Sequence, residues 1–422
     1  MYRMQWSKKK EKIGVIYLSL KNEIQFTVFT YFGIAVSVVS GVLTARYLGA
    51  SARGTLAYYS NYILLVCYVS SFNLSSGTAR VLSQINNNST KNNGTTIVKI
   101  FILGFLLSTT LASIIVLSGK IDSNNMKIYL FFILSGTGMA AISSYFEGIW
   151  TYMGNLKLIA AARFIGLFIP AAFAIVLVLI NKATIGNLLL SQLLVLVANM
   201  TIIYNFIKNT KQLKLPDIQV ILRSAIRGMP AYLIEYLSFW IVTFTIMQID
   251  GATALGYYAI ASSLTSAADS IYGASRVKFY KLLLNQNIRN FQSLSVILTR
   301  STAPSILLHL IFIPLSFLIP IIYGDNFYPA QKIAIFLLIS RTLTISARTI
   351  VLYLISIKQD ILSILVYLSF LISFLIISHF SETKIFGYHW TFCYLCASLI
   401  MLVSSLVFLY FLSINKKYYL KI

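Results

Sequence analysis

The chain has 422 residues, of which 58% are hydrophobic and 11% charged, and its mean hydropathy is +0.80. A soluble globular domain carries about 25% charged residues, so a water-soluble enzyme or binding domain is excluded. The formal net charge of +23 would suggest nucleic acid in a soluble protein, but here the basic residues collect in alternate loops, which excludes that partner.

Residues 1–25 combine Arg3, Lys8, Lys9, Lys10 and Lys12 with a weakly apolar run from Ile13 to Leu20. This predicts a cytoplasmic amphipathic segment lying along the inner membrane surface and drawn to anionic lipid. No small-residue cleavage site follows it, so it does not read as a cleaved leader. Twelve apolar stretches come next, near 26–48, 54–77, 97–118, 128–149, 158–180, 185–207, 228–249, 255–277, 296–322, 330–355, 361–379 and 386–412. Crossing the hydrocarbon core takes about 20 apolar residues in a helix, and lipid offers backbone groups no other partners. The fold class is therefore all-α integral membrane, with about 12 transmembrane helices. With these spans, 27 of the 34 lysines and arginines fall on one side of the membrane and 7 on the other. Both termini are thus expected in the cytoplasm.

The segment Gly49-Ala50-Ser51-Ala52-Arg53-Gly54-Thr55-Leu56-Ala57 recurs as Gly251-Ala252-Thr253-Ala254-Leu255-Gly256-Tyr257-Tyr258-Ala259, with five of nine positions identical. Each copy forms the tight outer link between the first two spans of a half, and six spans separate them. This is the parallel-repeat pattern of some transporters, in which substrate sits between two similar halves. It divides the chain into an N-lobe (26–207), a cytoplasmic linker (208–227, containing Pro216), a C-lobe (228–412) and a cytoplasmic tail (413–422). Arg46 and Arg53 flank the first outer link and read as anchors of that loop. Pro304, Pro314 and Pro320 fall in span nine and predict a kink there. Cys67, Cys393 and Cys396 read as packing residues; the Cys-x-x-Cys spacing in span twelve, with His389 a turn earlier, is a weak metal or redox signal. The tyrosines at span ends default to an interfacial aromatic belt.

Several motifs resemble a known family. Arg46-Tyr47-Leu48-Gly49 with Gly54 is similar to the signature after the first helix of polysaccharide and O-antigen flippases (the Wzx type) in the multidrug/oligosaccharidyl-lipid/polysaccharide exporter superfamily. Asn73–Arg80 resembles the end of their second helix, Gly228-Met229-Pro230 the opening of their second half, and Gly256–Ala261 the start of helix eight. Tyr323-Gly324-Asp325-Asn326-Phe327-Tyr328-Pro329-Ala330 resembles their motif between helices nine and ten and is the most specific match. One departure is that many relatives carry an Asp partway along helix seven, where this chain has Trp240–Phe244 without an acid. The resemblance implies a MATE-like fold of two pseudo-symmetric six-helix lobes in the bacterial inner membrane. It implies export of undecaprenyl-pyrophosphate-linked oligosaccharide by alternating access, alongside an O-antigen polymerase and a chain-length regulator. The alternatives are a cation-coupled multidrug antiporter of the same superfamily and an enzyme of polysaccharide assembly, such as an O-unit polymerase.

Charged residues within spans carry the site expectations, because a midplane charge costs about 2.5–3.5 kcal/mol on insertion scales and needs a partner or a polar cavity. Arg341 lies near the centre of span ten and Arg348 two turns further on; Arg300, Arg276 and Arg163 lie nearer the cytoplasmic ends of spans nine, eight and five. Arg341 is expected to face a central cavity and hold the pyrophosphate, since a guanidinium binds phosphate oxygens bidentately. Arg276, Arg300 and Arg163 are close enough to the interface to snorkel instead. Asp269 and Glu235 either pair with these arginines, the favoured reading, or bind a coupling proton or sodium ion. No cofactor is expected. The outer links are short and no histidine (His309, His379, His389) stands near another acid in sequence, which argues against an enzyme.

Overall fold

The computed structural model describes residues 2–84, 93–117, 123–209, 218–285, 291–357, 359–380 and 389–414. Among them are helices and turns and no strand. The helices are α1 (Tyr2–Ser71), α2 (Leu74–Gln84), α3 (Asn93–Leu117), α4 (Ser123–Met153), α5 (Leu156–Leu179), α6 (Ile185–Asn209), α7 (Ile218–Ile249), α8 (Gly251–Asn285), α9 (Phe291–Leu315), α10 (Ile319–Tyr323), α11 (Tyr328–Ser356), α12 (Asp360–Phe380) and α13 (His389–Ile414). The side chains of the N-terminal segment lie outside the described residues.

Each expected span falls in or across these helices. Eight helical stretches among the described residues are long and apolar enough to cross a membrane, and the first, Tyr31–Ser83, covers two spans. Spans one and two are the two arms of α1, which break at Gly49 (φ 77°, ψ 173°). That conformation is open to glycine and strained for other residues. Residues 37–44 of the first arm and 53–61 of the second line one cavity, so the arms run side by side from this reversal. The same device recurs between α7 and α8, where Gly251 has φ 81°.

The sequence places the end of span two at Gly77, but the structure breaks the helix earlier. Phe72 and Asn73 both take positive φ, and Leu74 then begins α2, which packs between α4 and α7. Asn is among the few residues that tolerate this region. Span nine is broken as its prolines predict: α9 ends at Leu315, a 3₁₀ turn spans Ser316–Leu318, and α10 contains Pro320. Each proline removes one backbone donor from the helical ladder. Gly324 (φ 104°) then turns the chain, and Pro329 opens α11, where its missing donor has no helical partner to lose.

The two halves are pseudo-symmetric, and the repeated turns meet each other. A methyl group built on Gly54 would run into the Ala252 carbonyl oxygen, and one on Gly256 would run into the Ala50 carbonyl oxygen. Positions 50 and 54 correspond to 252 and 256 in the repeat, so the contact is reciprocal, as a two-fold axis between the halves requires. Helix α1 packs on α8 and α7 across this interface, α5 and α6 pack within the first half, and α11, α12 and α13 pack within the second.

Adding one methyl at this contact should overpack it by about 1–3 kcal/mol. Gly54→Ala and Gly256→Ala should each lower the thermal midpoint of the purified protein. Gly166→Ala is the control, because its added methyl meets Val195 at an ordinary 3.9 Å. If all three variants melt together, the backbones at the outer link do not approach as described.

Candidate functional site

Helix α8 brings Asp269 to an arginine and a histidine of neighbouring helices. Asp269 Oδ2 lies 3.4 Å from Arg341 Nη1 of α11, and Oδ1 lies 3.0 Å from His309 Nε2 of α9. His309 Nδ1 is 2.7 Å from the Ser305 carbonyl oxygen, one helical turn back. A carbonyl only accepts, so Nδ1 carries a hydrogen and donates it. The imidazole thus bridges the Ser305 carbonyl and the Asp269 carboxylate. The imidazole is fully buried, whereas the Asp269 side chain keeps 22% exposure, so the carboxylate is the open end of the pair. Arg341 also hydrogen-bonds Tyr258 of α8, which places the cluster directly behind a cavity wall.

Two turns along α11, Arg348 Nη2 lies 3.2 Å from Glu235 Oε1 of α7. Arg276 of α8 lies in the field of Glu235, Tyr272, Tyr367 and Tyr68. Arg163 of α5 lies in the field of Glu147 and Arg276. Arg341 and Arg348 are thus each matched to a carboxylate, and Asp269 and Glu235 are both paired. Arg163 and Arg276 share one electrostatic neighbourhood across the two halves. The Arg300 side chain lies outside the described residues.

Between these groups runs a polar and aromatic seam that joins the halves. Tyr68 stacks on Tyr236 (centroids 4.0 Å apart) and Tyr232 (4.7 Å) of α7. Ser71 hydrogen-bonds the Tyr232 hydroxyl at 3.1 Å, and Asn61 Nδ2 donates to Thr243 Oγ1 at 3.2 Å. These three tyrosines pack the contact between the second and seventh spans.

A cavity of about 380 Å³ opens beside the seam, lined by both arms of α1 and by α5, α6 and α8. Its wall is rich in serine, threonine, asparagine and glutamine, among them Ser40, Thr44, Asn61, Gln192 and Ser262, together with one guanidinium, Arg53, and no carboxylate. The sequence reads Arg53 as an anchor of the outer link; it turns inward to line the cavity instead. Arg46 does serve the outer end, donating to the Ile321 carbonyl oxygen at 3.5 Å. A second cavity of about 590 Å³ lies at the inner end.

One sequence expectation needs correction here. His309 stands beside an acid after all, forty residues away in sequence and on a neighbouring helix. The signal was present, because an ionisable residue in mid-span is a functional candidate by default. Of the described arginines singled out from sequence, Arg163, Arg276, Arg341 and Arg348 do not line this cavity, whose guanidinium is Arg53. Cys67, Cys393 and Cys396 are free, and no cluster of metal-ligating side chains occurs among the described residues.

These features define a multi-pass membrane protein with a polar chamber between two similar halves. No family model matches the sequence, and no curated protein matches it. Solved structures match along nearly the whole chain. An outward-facing multidrug resistance MATE family transporter of the MOP superfamily aligns with a TM-score of 0.67 at 12% identity, over 94% of this chain and 96% of that one. The inward-facing conformation of such a transporter aligns with a TM-score of 0.64 at 12% identity, over 93% and 99%. A MOP superfamily transporter from Pyrococcus furiosus, described by the reverse polarity of its binding pocket, aligns with a TM-score of 0.67 at 14% identity, over 94% and 96%. The chain therefore has the fold of the MATE transporters.

Removing Arg341 would leave Asp269 without its guanidinium partner. Breaking a buried pair from one side costs roughly 3–5 kcal/mol, and removing both partners costs less. Arg341→Ala should therefore destabilise the protein more than the double variant Arg341→Ala/Asp269→Ala does. Thermal unfolding of the two variants beside the wild type and Asp269→Ala checks this, and strict additivity would show that the two side chains do not interact.

Proposed function

We propose that this protein moves a lipid-linked, anionic oligosaccharide from the inner to the outer face of the membrane, its halves opening alternately to the two sides. The cargo is of the polyprenyl-pyrophosphate class, such as an undecaprenyl-pyrophosphate-linked O-antigen or capsule unit. The observation that carries this reading is the chamber wall: hydroxyl and amide groups, one arginine and no acid. Sugar hydroxyls exchange hydrogen bonds with such side chains, and a guanidinium favours phosphate or carboxylate oxygens. A cavity built for cationic drugs would need a carboxylate on its wall, so the multidrug antiporter reading is the weaker one. The fold neighbour with a pocket of reverse polarity is itself described as having a different function.

In this reading the coupling ion is a proton, and the His309–Asp269 pair is where it is taken up. Asp269 contacts Arg341, and Arg341 contacts Tyr258 on the chamber wall, so protonation and cargo binding act through one shared cation. Sodium would require several oxygen ligands around Asp269, whereas its two oxygens already face a guanidinium and an imidazole.

Expression in a bacterial strain lacking its O-unit flippase, with surface polysaccharide as readout, tests the cargo class. The wild-type chain should restore the polysaccharide, Arg341→Ala and Arg53→Ala should each cut export by at least about tenfold, and the lysine variants should keep part of it. Normal export by Arg53→Ala would remove the chamber from the mechanism. Failure of the wild-type chain with matched sugars, despite membrane insertion, would reject the cargo assignment. In proteoliposomes, an imposed pH gradient should drive transport by the wild type and leave His309→Gln unresponsive; a His309→Gln protein that still responds would reject the proton site.

A further inference from the structure

The inner cavity is distinct from the chamber and belongs to neither ion-paired cluster. It lies where α2 of the first half meets α7 and α12 of the second, and three arginines line it: Arg80 from α2, and Arg223 and Arg227 from the first turns of α7. One carboxylate, Asp360, opens α12 on the same wall. Arg80 is only 5% exposed, yet its Nε and Nη2 have no hydrogen-bond partner. Asp360 Oδ1 stands 3.6 Å from Nη2, close enough for charge attraction but without a hydrogen bond, and that oxygen is also unsatisfied. A buried guanidinium with unmet donors facing an open cavity is costly unless a ligand completes it.

Arg223 and Arg227 are four residues apart on α7, so their side chains share a helix face. With Arg80 they leave the cavity with two positive charges beyond what Asp360 cancels. The rest of the wall includes the apolar Val81, Val220, Ile361 and Ile364. Ile361 is 73% exposed and Val220 45%, which gives the basic pocket an apolar lip on the bilayer side. We infer that this pocket binds the phosphate ester of a lipid head group, with the arginines on the phosphate and the apolar lip along the first carbons of the acyl chains. Guanidinium forks fit phosphate oxygens, and basic pockets between helices on the cytoplasmic side are suited to anionic head groups. Free phosphate shares the polar half of this chemistry and lacks any use for the lip. Since the pocket spans helices of both halves, an occupant favours the arrangement described here over one in which α2 separates from α7 and α12. The inference does not depend on what the protein carries.

The test is lipid binding by the purified full chain in detergent, read by thermal midpoint and by native mass spectrometry. The probes are phosphatidic acid, phosphatidylglycerol, phosphatidylcholine and inorganic pyrophosphate. The two anionic lipids should raise the midpoint and remain bound, while phosphatidylcholine and pyrophosphate at equal concentration should not. Arg223→Ala/Arg227→Ala replaces exposed positions in a helix with a good helix former; it should fold normally and bind the anionic lipids at least about tenfold more weakly. Asp360→Asn removes the competing carboxylate and should tighten binding. Equal stabilisation by pyrophosphate would overturn the lipid assignment. Unchanged lipid binding in the double arginine variant would overturn the site itself, and neither result bears on the complementation experiment.

Discussion

Two backbone carbonyls, each closed over by a glycine of the opposite half, set how this protein is put together. Apolar surface gives little direction to helix association in a bilayer, because lipid tails are as apolar as leucine; close packing through small residues has to supply it. Gly54 under the Ala252 carbonyl and Gly256 under the Ala50 carbonyl do so at the outer link. The contact is short-ranged and admits no side chain, so it exists in full or not at all. That makes it a discrete junction between halves rather than a compliant surface, as a two-state mechanism requires.

Helix α8 carries the consequences inward. It begins at the turn, presents Tyr258, Ser262 and Ser263 to the chamber, then holds Asp269 against His309 and Arg341, and carries Arg276 further toward the inner side. The outer junction, the chamber wall and the acid of the Asp269–His309 pair therefore share one element. A rotation of α8 that opened the outer turn would move Asp269 relative to α9 and α11, which belong to the same half, less than it would move Ser262 relative to α1 and α5. The charge cluster thus travels with its half, and the chamber is what changes shape.

Much of this architecture is legible in the amino-acid sequence. Hydropathy and basic-loop asymmetry give the spans, because insertion energy depends on composition averaged over a whole helix. The repeat is visible because the outer turn demands glycine twice, at 49 and 54, and again at 251 and 256. The azimuth of each polar side chain is a different matter. Sequence gives the depth of His309 and of Asp269 but not that α9 faces α8 at that level, and a forty-residue separation leaves no periodic trace. Arg53 departs from its expected role for the same reason: its depth suits a loop anchor and its direction suits the chamber. The early break at Phe72–Asn73 also escapes hydropathy, since both neighbouring segments remain helical and the change is confined to two dihedral pairs.

The distribution of charge inside the spans follows from these placements and constrains the sign of anything that enters. In the ion-paired clusters and the chamber, Glu147, Glu235 and Asp269 stand near Arg163, Arg276, Arg341 and Arg348, and Arg53 lines the chamber. Five guanidiniums against three carboxylates leave an excess of positive charge in these groups. In a low-dielectric interior that excess acts over distances at which surface charges would be screened. A cationic drug entering the chamber would meet a field opposed to it with no acid to offset the loss of water. An anionic head group would meet Arg53 at the wall and the field of the paired clusters behind it. For the cargo proposed above, the polar lining would face the uncharged remainder, and hydroxyl and amide groups can hydrogen-bond a sugar without fixing which sugar it is.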